Sequence, residues 1–161
     1  MFVPFWGAPD GAIPVGRSRT GSKHHLLVDA TGIPLVVALT GGNRNDVTQL
    51  LPLLEDLHAR PVAGRTGRPR QKPDVVLADR GYDHDKYRRL LWARGIKPVI
   101  ARRGVEHGSG LGTQRWVVER GFARLHNFRR LRIRYERYPE LHTAFLTLAC
   151  AILRWRRLKA L

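Results

Sequence analysis

One acid in this chain is set up for chemistry by its neighbours: Asp79, in the run Val75-Val76-Leu77-Ala78-Asp79-Arg80-Gly81-Tyr82-Asp83. Four apolar residues predict a short buried strand, which delivers the carboxylate at its C-terminal end on a rigid support. Glu119 lies further on, in the helical run Arg115-Trp116-Val117-Val118-Glu119-Arg120. Carboxylate oxygens suit a hard cation. With two Mg²⁺ ions about 4 Å apart, such acids serve phosphoryl transfer, activating a water or 3′-hydroxyl and stabilising the leaving oxygen. Plainer roles exist for both. Asp79 could be a turn or helix-capping residue, and Glu119 the partner of Arg115 in an i,i+4 pair of little energetic weight.

The charge balance points to the partner. The 161 residues carry 29 Lys+Arg against 13 Asp+Glu, a net charge of +16. A field of that sign attracts polyanions, nucleic acid above all; an arginine-rich solvated surface is the alternative. With 43% apolar residues the chain can bury a core as one domain. The single cysteine, Cys150, lies in an apolar helical pattern, so neither a disulfide framework nor a thiolate metal site is expected within one chain. His24 and His25 are adjacent on a strand and point to opposite faces, which gives no zinc pattern. No secretory signal and no apolar stretch approaching a membrane span is seen, so a cytoplasmic protein without membrane contact is expected.

The elements that must position the acids follow from periodicity. Residues 1–16 are irregular and rich in Gly, Pro and Ala, and residues 17–23 read as a basic loop. A hairpin is predicted from a strand over 24–28, the turn Asp29-Ala30-Thr31-Gly32 and a strand over 33–39 buried on both faces. Asp46-Val47-Thr48-Gln49 has capping-box spacing and opens a helix with Val47, Leu50, Leu51, Leu54 and Leu57 on one stripe. After a basic loop over 59–73 come a strand over 75–78, a helix over 83–94 closed by Gly95, and a strand over 98–101. That unit implies a parallel pair with a right-handed crossover. Asp83 and Asp85 read as helix caps. A basic loop over 102–113 leads to two final helices, about 114–131 and from Pro139 onward.

On the first of these helices, Arg115, Glu119, His126 and Arg130 fall within an arc of about 60°, a basic stripe beside a core face of Val118, Phe122 and Leu125. On the second, Leu141, Phe145, Leu148, Ile152 and Trp155 recur at spacings of 4, 3, 4 and 3, read as core packing, with an oligomer seam as the alternative.

The ordered set of Gly16-Arg17-Ser18-Arg19-Thr20-Gly21-Ser22-Lys23-His24-His25-Leu26, Gly42-Asn43-Arg44-Asn45-Asp46-Val47, Ala78-Asp79-Arg80-Gly81-Tyr82-Asp83, Val118-Glu119-Arg120-Gly121-Phe122 and Phe128-Arg129-Arg130-Leu131 resembles bacterial insertion-sequence transposases of the DDE class, in the IS-four/IS-five group, over about residues 14 to 159. The resemblance implies an α/β fold: a ribonuclease H-like mixed sheet flanked by helices, occupying 17–161 after the irregular 1–16. It also implies two Mg²⁺ ions, DNA element ends and target as partners, an oligomer of the same chain, a nucleoid-associated location, and strand cleavage and transfer. Asp79 takes the place of the second catalytic Asp and Glu119 that of the catalytic Glu, both as metal ligands. Arg115, with three residues between it and Glu119, matches the Arg of the family's Tyr-Arg-Glu-Lys signature; its Lys falls on His126 and its Tyr on Gly112. With Arg130 these are the expected DNA contacts. The first catalytic Asp belongs on an opening strand before the Gly16–Arg19 region. Neither Asp10 nor Asp29 has that setting, so the stretch reads as N-terminally truncated or frame-disrupted, lacking the middle strand of its sheet and weak or inactive in strand transfer. A non-catalytic basic nucleic-acid-binding protein explains the charge equally, and a nuclease on the same fold would leave hydrolysed ends.

Overall fold

The computed structural model describes residues 22–59, 71–104 and 112–160, with the backbone alone for 112–115. The expectations for residues 1–16, and for most of the loops over 59–73 and 102–113, lie outside the described residues. The elements run β1 (Ser22–Val28), β2 (Pro34–Gly41), a 3₁₀ turn (Asp46–Gln49) leading into α1 (Leu50–Ala59), β3 (Val75–Ala78), a 3₁₀ turn (Arg80–Tyr82), α2 (Asp85–Ala93), β4 (Lys97–Ile100), α3 (Gly112–His126), a 3₁₀ turn (Arg129–Leu131) and α4 (Pro139–Lys159).

The mixed α/β class is what is observed. β1 and β2 form the expected antiparallel hairpin, and β3 and β4 the expected parallel pair. Among the described residues these remain two separate two-stranded sheets. The hairpin turn is built by Asp29, whose Oδ1 accepts from Thr31 N–H, Thr31 Oγ1–H and Ile33 N–H at 2.8, 2.8 and 2.9 Å. This Asx-type turn passes through Gly32 at φ +77°, a conformation a Cβ disfavours.

Side-chain alternation on the hairpin feeds two cores. Leu27 and Val36 join Val47, Leu50, Leu53, Leu54 and Leu57 on one side, where Val76, Ala78, Tyr82, Leu91, Ile96 and Ile100 close the layer. Leu26 and Val28 pack on the other side against Val117, Val118, Phe122 and Leu125 of α3 and Leu146, Ala149 and Cys150 of α4. The two-sided burial predicted for the second strand is thus a property of the hairpin as a whole. α3 lies close on β1: a Cβ added to Gly121 would sit 2.8 Å from Val28 Cγ1, and one on Gly32 would sit 2.6 Å from the Val117 carbonyl.

Several boundaries differ from expectation for local reasons. Ser22 and Lys23 belong to β1 and not to a loop. Asn45, and not Asp46, caps the helix beginning, accepting from Val47 N–H at 3.4 Å; Asp46 is the first residue inside the 3₁₀ turn. α2 closes as predicted at Gly95 (φ +67°), with Gly95 N–H donating to Trp92 O and Ile96 N–H to Leu91 O, the paired bonds of a Schellman motif. The long helix predicted to Leu131 stops at His126. Arg132 Nε donates to the His126 carbonyl at 2.9 Å, and the chain re-forms as the separate turn 129–131, which buries Leu131.

The largest correction concerns α4. Pro139 stands at its start as expected, but the buried stripe is His142, Leu146, Ala149 and Cys150. Leu141, Phe145, Leu148 and Trp155, predicted to pack inward, are exposed. Two stripes of helical spacing compete on this helix. Small Ala149 and Cys150 allow the close approach to β2, and His142 finds polar partners beneath the helix, so that face is buried.

Candidate active site and nucleic-acid surface

Asp79 is half-buried at the end of β3, where the chain turns into the 3₁₀ segment Arg80–Tyr82. Its Oδ1 accepts from Gly81 N–H at 2.8 Å. The plain capping role is therefore realised, and it orients the carboxylate at the same time. The turn itself is clamped by a residue read from sequence only as a helix cap. Asp83 Oδ1 accepts from Arg88 Nε at 2.7 Å, and Oδ2 accepts from Arg103 N–H at 2.7 Å. Arg103 Nε donates to Arg80 O at 3.1 Å and its Nη2 to Gly81 O at 3.3 Å, while Arg88 Nη2 donates to Ile100 O at 2.8 Å. The Asp79 turn is thus sewn to the end of β4 and to α2. Burial works against the Asp83 charge, but the Arg103 N–H and the Arg88 guanidinium outweigh it and hold its carboxyl below the ordinary range. α2 itself begins without a side-chain cap, from His84. Asp85 is its first residue and stands 3.9 Å from Arg102.

A second carboxylate reaches the same neighbourhood from an unexpected element. The Asp46–Gln49 turn packs against the Arg80–Tyr82 turn, and Asp46 forms an ion pair with Lys23 Nζ at 3.1 Å. The Tyr82 phenol lies in the core between them. Burial first, then the charges of Asp46 and Asp79, keep its proton on far above the usual tyrosine range. His25, on the same side of β1, hydrogen-bonds Thr40 Oγ1 at 2.7 Å, and burial, opposed by Asp46 and aided by Lys23, lowers its pKa. Sequence reasoning could find Asp79 from its strand. It could not find Asp46 here, because only the packing of two 3₁₀ turns brings that acid in.

Glu119 is exposed on α3, while Val118, Phe122 and Leu125 face the core as the helical wheel predicts. Among the described residues no three His, Cys, Asp or Glu side chains come together closely enough to hold a metal ion. The expected DNA contacts do not share one helical stripe. Arg115 lies on α3, its side chain outside the described residues. His126 is the last residue of α3, half-buried beside the Phe122 ring at 6.1 Å. Arg130, on the separate 3₁₀ turn, donates to Glu136 Oε1 at 2.7 Å and stacks over Tyr135 and Phe145 at 5.3 and 5.6 Å. Arg129, Arg132 and Arg137 are exposed around it.

Behind this basic segment runs a buried polar chain that sequence reasoning missed. Glu136 Oε2 lies 2.9 Å from His142 Nδ1, and His142 Nε2 lies 3.1 Å from His24 Nε2. His142 is fully buried. Burial, then the proximity of His142, His126 and His25, lowers the His24 pKa to about 4. The signal was hidden because His24 and His142 are 118 residues apart.

The candidate site is thus a half-buried acid at a strand end, held in a clamped turn on an α/β scaffold with a net charge of +16. The transposase DDE domain family matches residues 5–154, and the chain belongs to that family, as a DDE-type transposase of the insertion-sequence kind. It is 57% identical over 155 residues, covering 96% of this chain and 72% of the relative, to a Burkholderia cepacia protein that carries the name of transposase for insertion sequence element IS402. It is 29% identical over 143 residues, covering 84% of this chain and 98% of the relative, to a Brucella ovis protein named likewise for insertion sequence element IS6501. No solved structure matches the chain. Among the described residues no helix is long and apolar enough to cross a membrane.

Proposed function

We propose that this chain binds DNA and contributes Asp79 and Glu119 to Mg²⁺-dependent cleavage and transfer of DNA strands in insertion-sequence transposition, on a ribonuclease H-like scaffold in the bacterial cytoplasm. The observation that carries this reading is the setting of Asp79. It stands at the end of a parallel strand, oriented by Gly81 N–H, in a turn tied down through Asp83 and Arg103. A mere turn residue needs no such clamp, whereas an acid that must meet a phosphate or a metal within a fraction of an ångström does.

The oxygen donors of Asp79 and Glu119 suit Mg²⁺, with Asp79 as the fixed ligand and Glu119 as the exposed one. Such an ion, when bound, supplies charge neutralisation at the phosphoryl group and a more acidic attacking hydroxyl. The chain's own residues do the rest. The clamp keeps the Asp79 carboxylate aimed, and the Asp83 carboxylate, held charged, keeps Arg88 and Arg103 engaged with the turn and not with phosphate. Arg115, His126 and Arg130, with exposed Arg129, Arg132 and Arg137, would track the DNA backbone.

A second reading, a basic protein that binds nucleic acid without cutting it, is favoured because among the described residues no three His, Cys, Asp or Glu side chains come together to hold a metal ion. The discriminating experiment incubates the protein with element-end DNA, target DNA and Mg²⁺. Joined strands that vanish in Asp79→Asn and Glu119→Gln, with DNA affinity kept, support transposition. Hydrolysed ends without joining indicate a nuclease. Binding with no Asp79-dependent product establishes the non-catalytic reading.

A further inference from the structure

We propose that Glu136 is a positioning residue for DNA binding, anchoring Arg130 so that its guanidinium stands as a preformed fork for a backbone phosphate. This role deepens the DNA-binding reading above and rests on it, while no step of cleavage is involved.

By charge alone an acid is out of place here. Residues 129–137 hold five arginines and one carboxylate, in a chain of net charge +16. A polyanion would be attracted more strongly without that carboxylate. Yet the Glu136 side chain is turned inward, 3% exposed, and held from several sides. Its main-chain carbonyl accepts from Arg134 Nε at 2.9 Å. Arg134 Nη2 donates to Arg137 O at 3.0 Å and its Nη1 to Ser22 Oγ at 2.6 Å, which ties the segment to β1. Glu136 Oε2 faces His142 Nδ1, itself backed by His24. The hydrogen bond with His142, opposed by burial and joined by Arg130, holds the carboxyl below its ordinary range, so the anchor is charged. Oε1 is therefore an acceptor of fixed position, and what it fixes is Arg130.

Arg130 is held as a receptor for an anion would be. The bond to Oε1, at 2.7 Å, takes the Nε–H. The Tyr135 and Phe145 rings, with centroids 5.3 and 5.6 Å from Cζ, limit where the guanidinium plane can swing. The remaining donors sit on Nη1 and Nη2, and 57% of the side chain is exposed. A planar fork whose orientation is already set loses less freedom on taking two phosphate oxygens than a loose arginine does. Arg134, by contrast, has all three nitrogens bonded within the chain, and Arg132 spends its Nε on the His126 carbonyl.

The test turns on a sign. An acid acting through its charge alone opposes DNA, so its removal tightens binding; an acid that positions Arg130 does the reverse. Affinity of the full chain for a short fluorescein-labelled duplex of arbitrary sequence is measured by anisotropy over about 0.1–0.3 M NaCl. Glu136→Ala frees Arg130 and should weaken binding roughly fivefold or more. Glu136→Gln keeps an oxygen that accepts from Arg130 Nε and an amide that donates to His142 Nδ1, so it should bind at least as tightly as the original. Arg130→Lys keeps the charge but has neither the anchor nor the fork. It should bind roughly fivefold more weakly, with its salt slope and melting temperature nearly unchanged. Glu136→Ala also takes a partner from buried His142; where it fails to fold, Glu136→Gln and Arg130→Lys carry the test. Tighter binding by Glu136→Ala, Glu136→Gln weaker than the original, or Arg130→Lys equal to it overturns the proposal and leaves DNA binding standing. An original protein that binds no DNA at any of these salt concentrations overturns the DNA-binding reading and this role together.

Discussion

Acidification should destabilise this protein through one histidine. His24 Nε2 faces His142 Nε2 at 3.1 Å, and His142 Nδ1 faces the Glu136 carboxylate at 2.9 Å. With Glu136 accepting from Nδ1–H, the contact between the two rings needs one N–H and one bare nitrogen. A neutral His142 accepts from His24; a charged His142 donates to it. Either way His24 is neutral in the folded protein, and a proton on both rings would oppose two N–H groups across 3.1 Å. The His24 pKa is accordingly lowered to about 4, by burial first and then by the neighbouring histidines. The unfolded chain takes up this proton near pH 6.5 and the folded one resists it, so stability is lost as pH falls through 6.5 toward 4. The slope is about 1.4 kcal/mol per pH unit, and the loss between pH 7 and 4.5 amounts to about 2.5 kcal/mol. Urea denaturation followed by circular dichroism at about pH 7.5, 6.0, 5.0 and 4.5 measures it. His24→Gln keeps a neutral hydrogen-bonding side chain and should flatten the slope by about one proton, leaving the smaller part due to His25. Equal slopes in the two proteins, or a His24 titrating near 6.5 by NMR in the native state, would refute the reasoning.

Further outcomes follow from the same contacts. Asp83→Ala removes both oxygens that hold Arg88 and Arg103 and should cost about 2 kcal/mol in denaturant titrations, while loosening the Asp79 turn enough to lower any Asp79-dependent activity more than stability alone accounts for. Gly32→Ala adds a Cβ 2.6 Å from the Val117 carbonyl at φ +77°, so a loss of at least about 2 kcal/mol is expected; a neutral effect would mean that α3 does not lie on the hairpin turn. DNA affinity measured by anisotropy should fall linearly on a log–log salt plot. Replacing Arg129, Arg132 and Arg137 by Ala should shallow that slope by about 0.9 for each residue that touches phosphate, whereas an unchanged slope would remove this segment from the interface.

The elements that periodicity exposes were legible without coordinates. The Val75–Ala78 strand, the Gly95 helix stop, the Asp29 turn and the core face of α3 rest on local chemistry: apolar alternation, an αL glycine, an Asx turn. The placement of Asp79 at a strand end belongs to this group, and so does the family resemblance, carried by ordered short motifs. What the residues did not disclose depends on competition or on distance. α4 carries two stripes of equivalent helical spacing, and only close approach at Ala149 and Cys150, with polar partners for His142, decided that the more hydrophobic one faces outward. α3 ended early because Arg132 reached back to the His126 carbonyl. Asp83 became a clamp, and not a cap, once the parallel β3–β4 pair brought Arg103 beside it across 20 residues. The charge, the elements and the candidate acids are therefore set by residue type and near-neighbour order, which local physics reads directly. Which face is buried, which histidine loses its proton and which arginine is tied to the Asp79 turn depend on contacts between segments far apart in the chain, and only the folded arrangement supplies those.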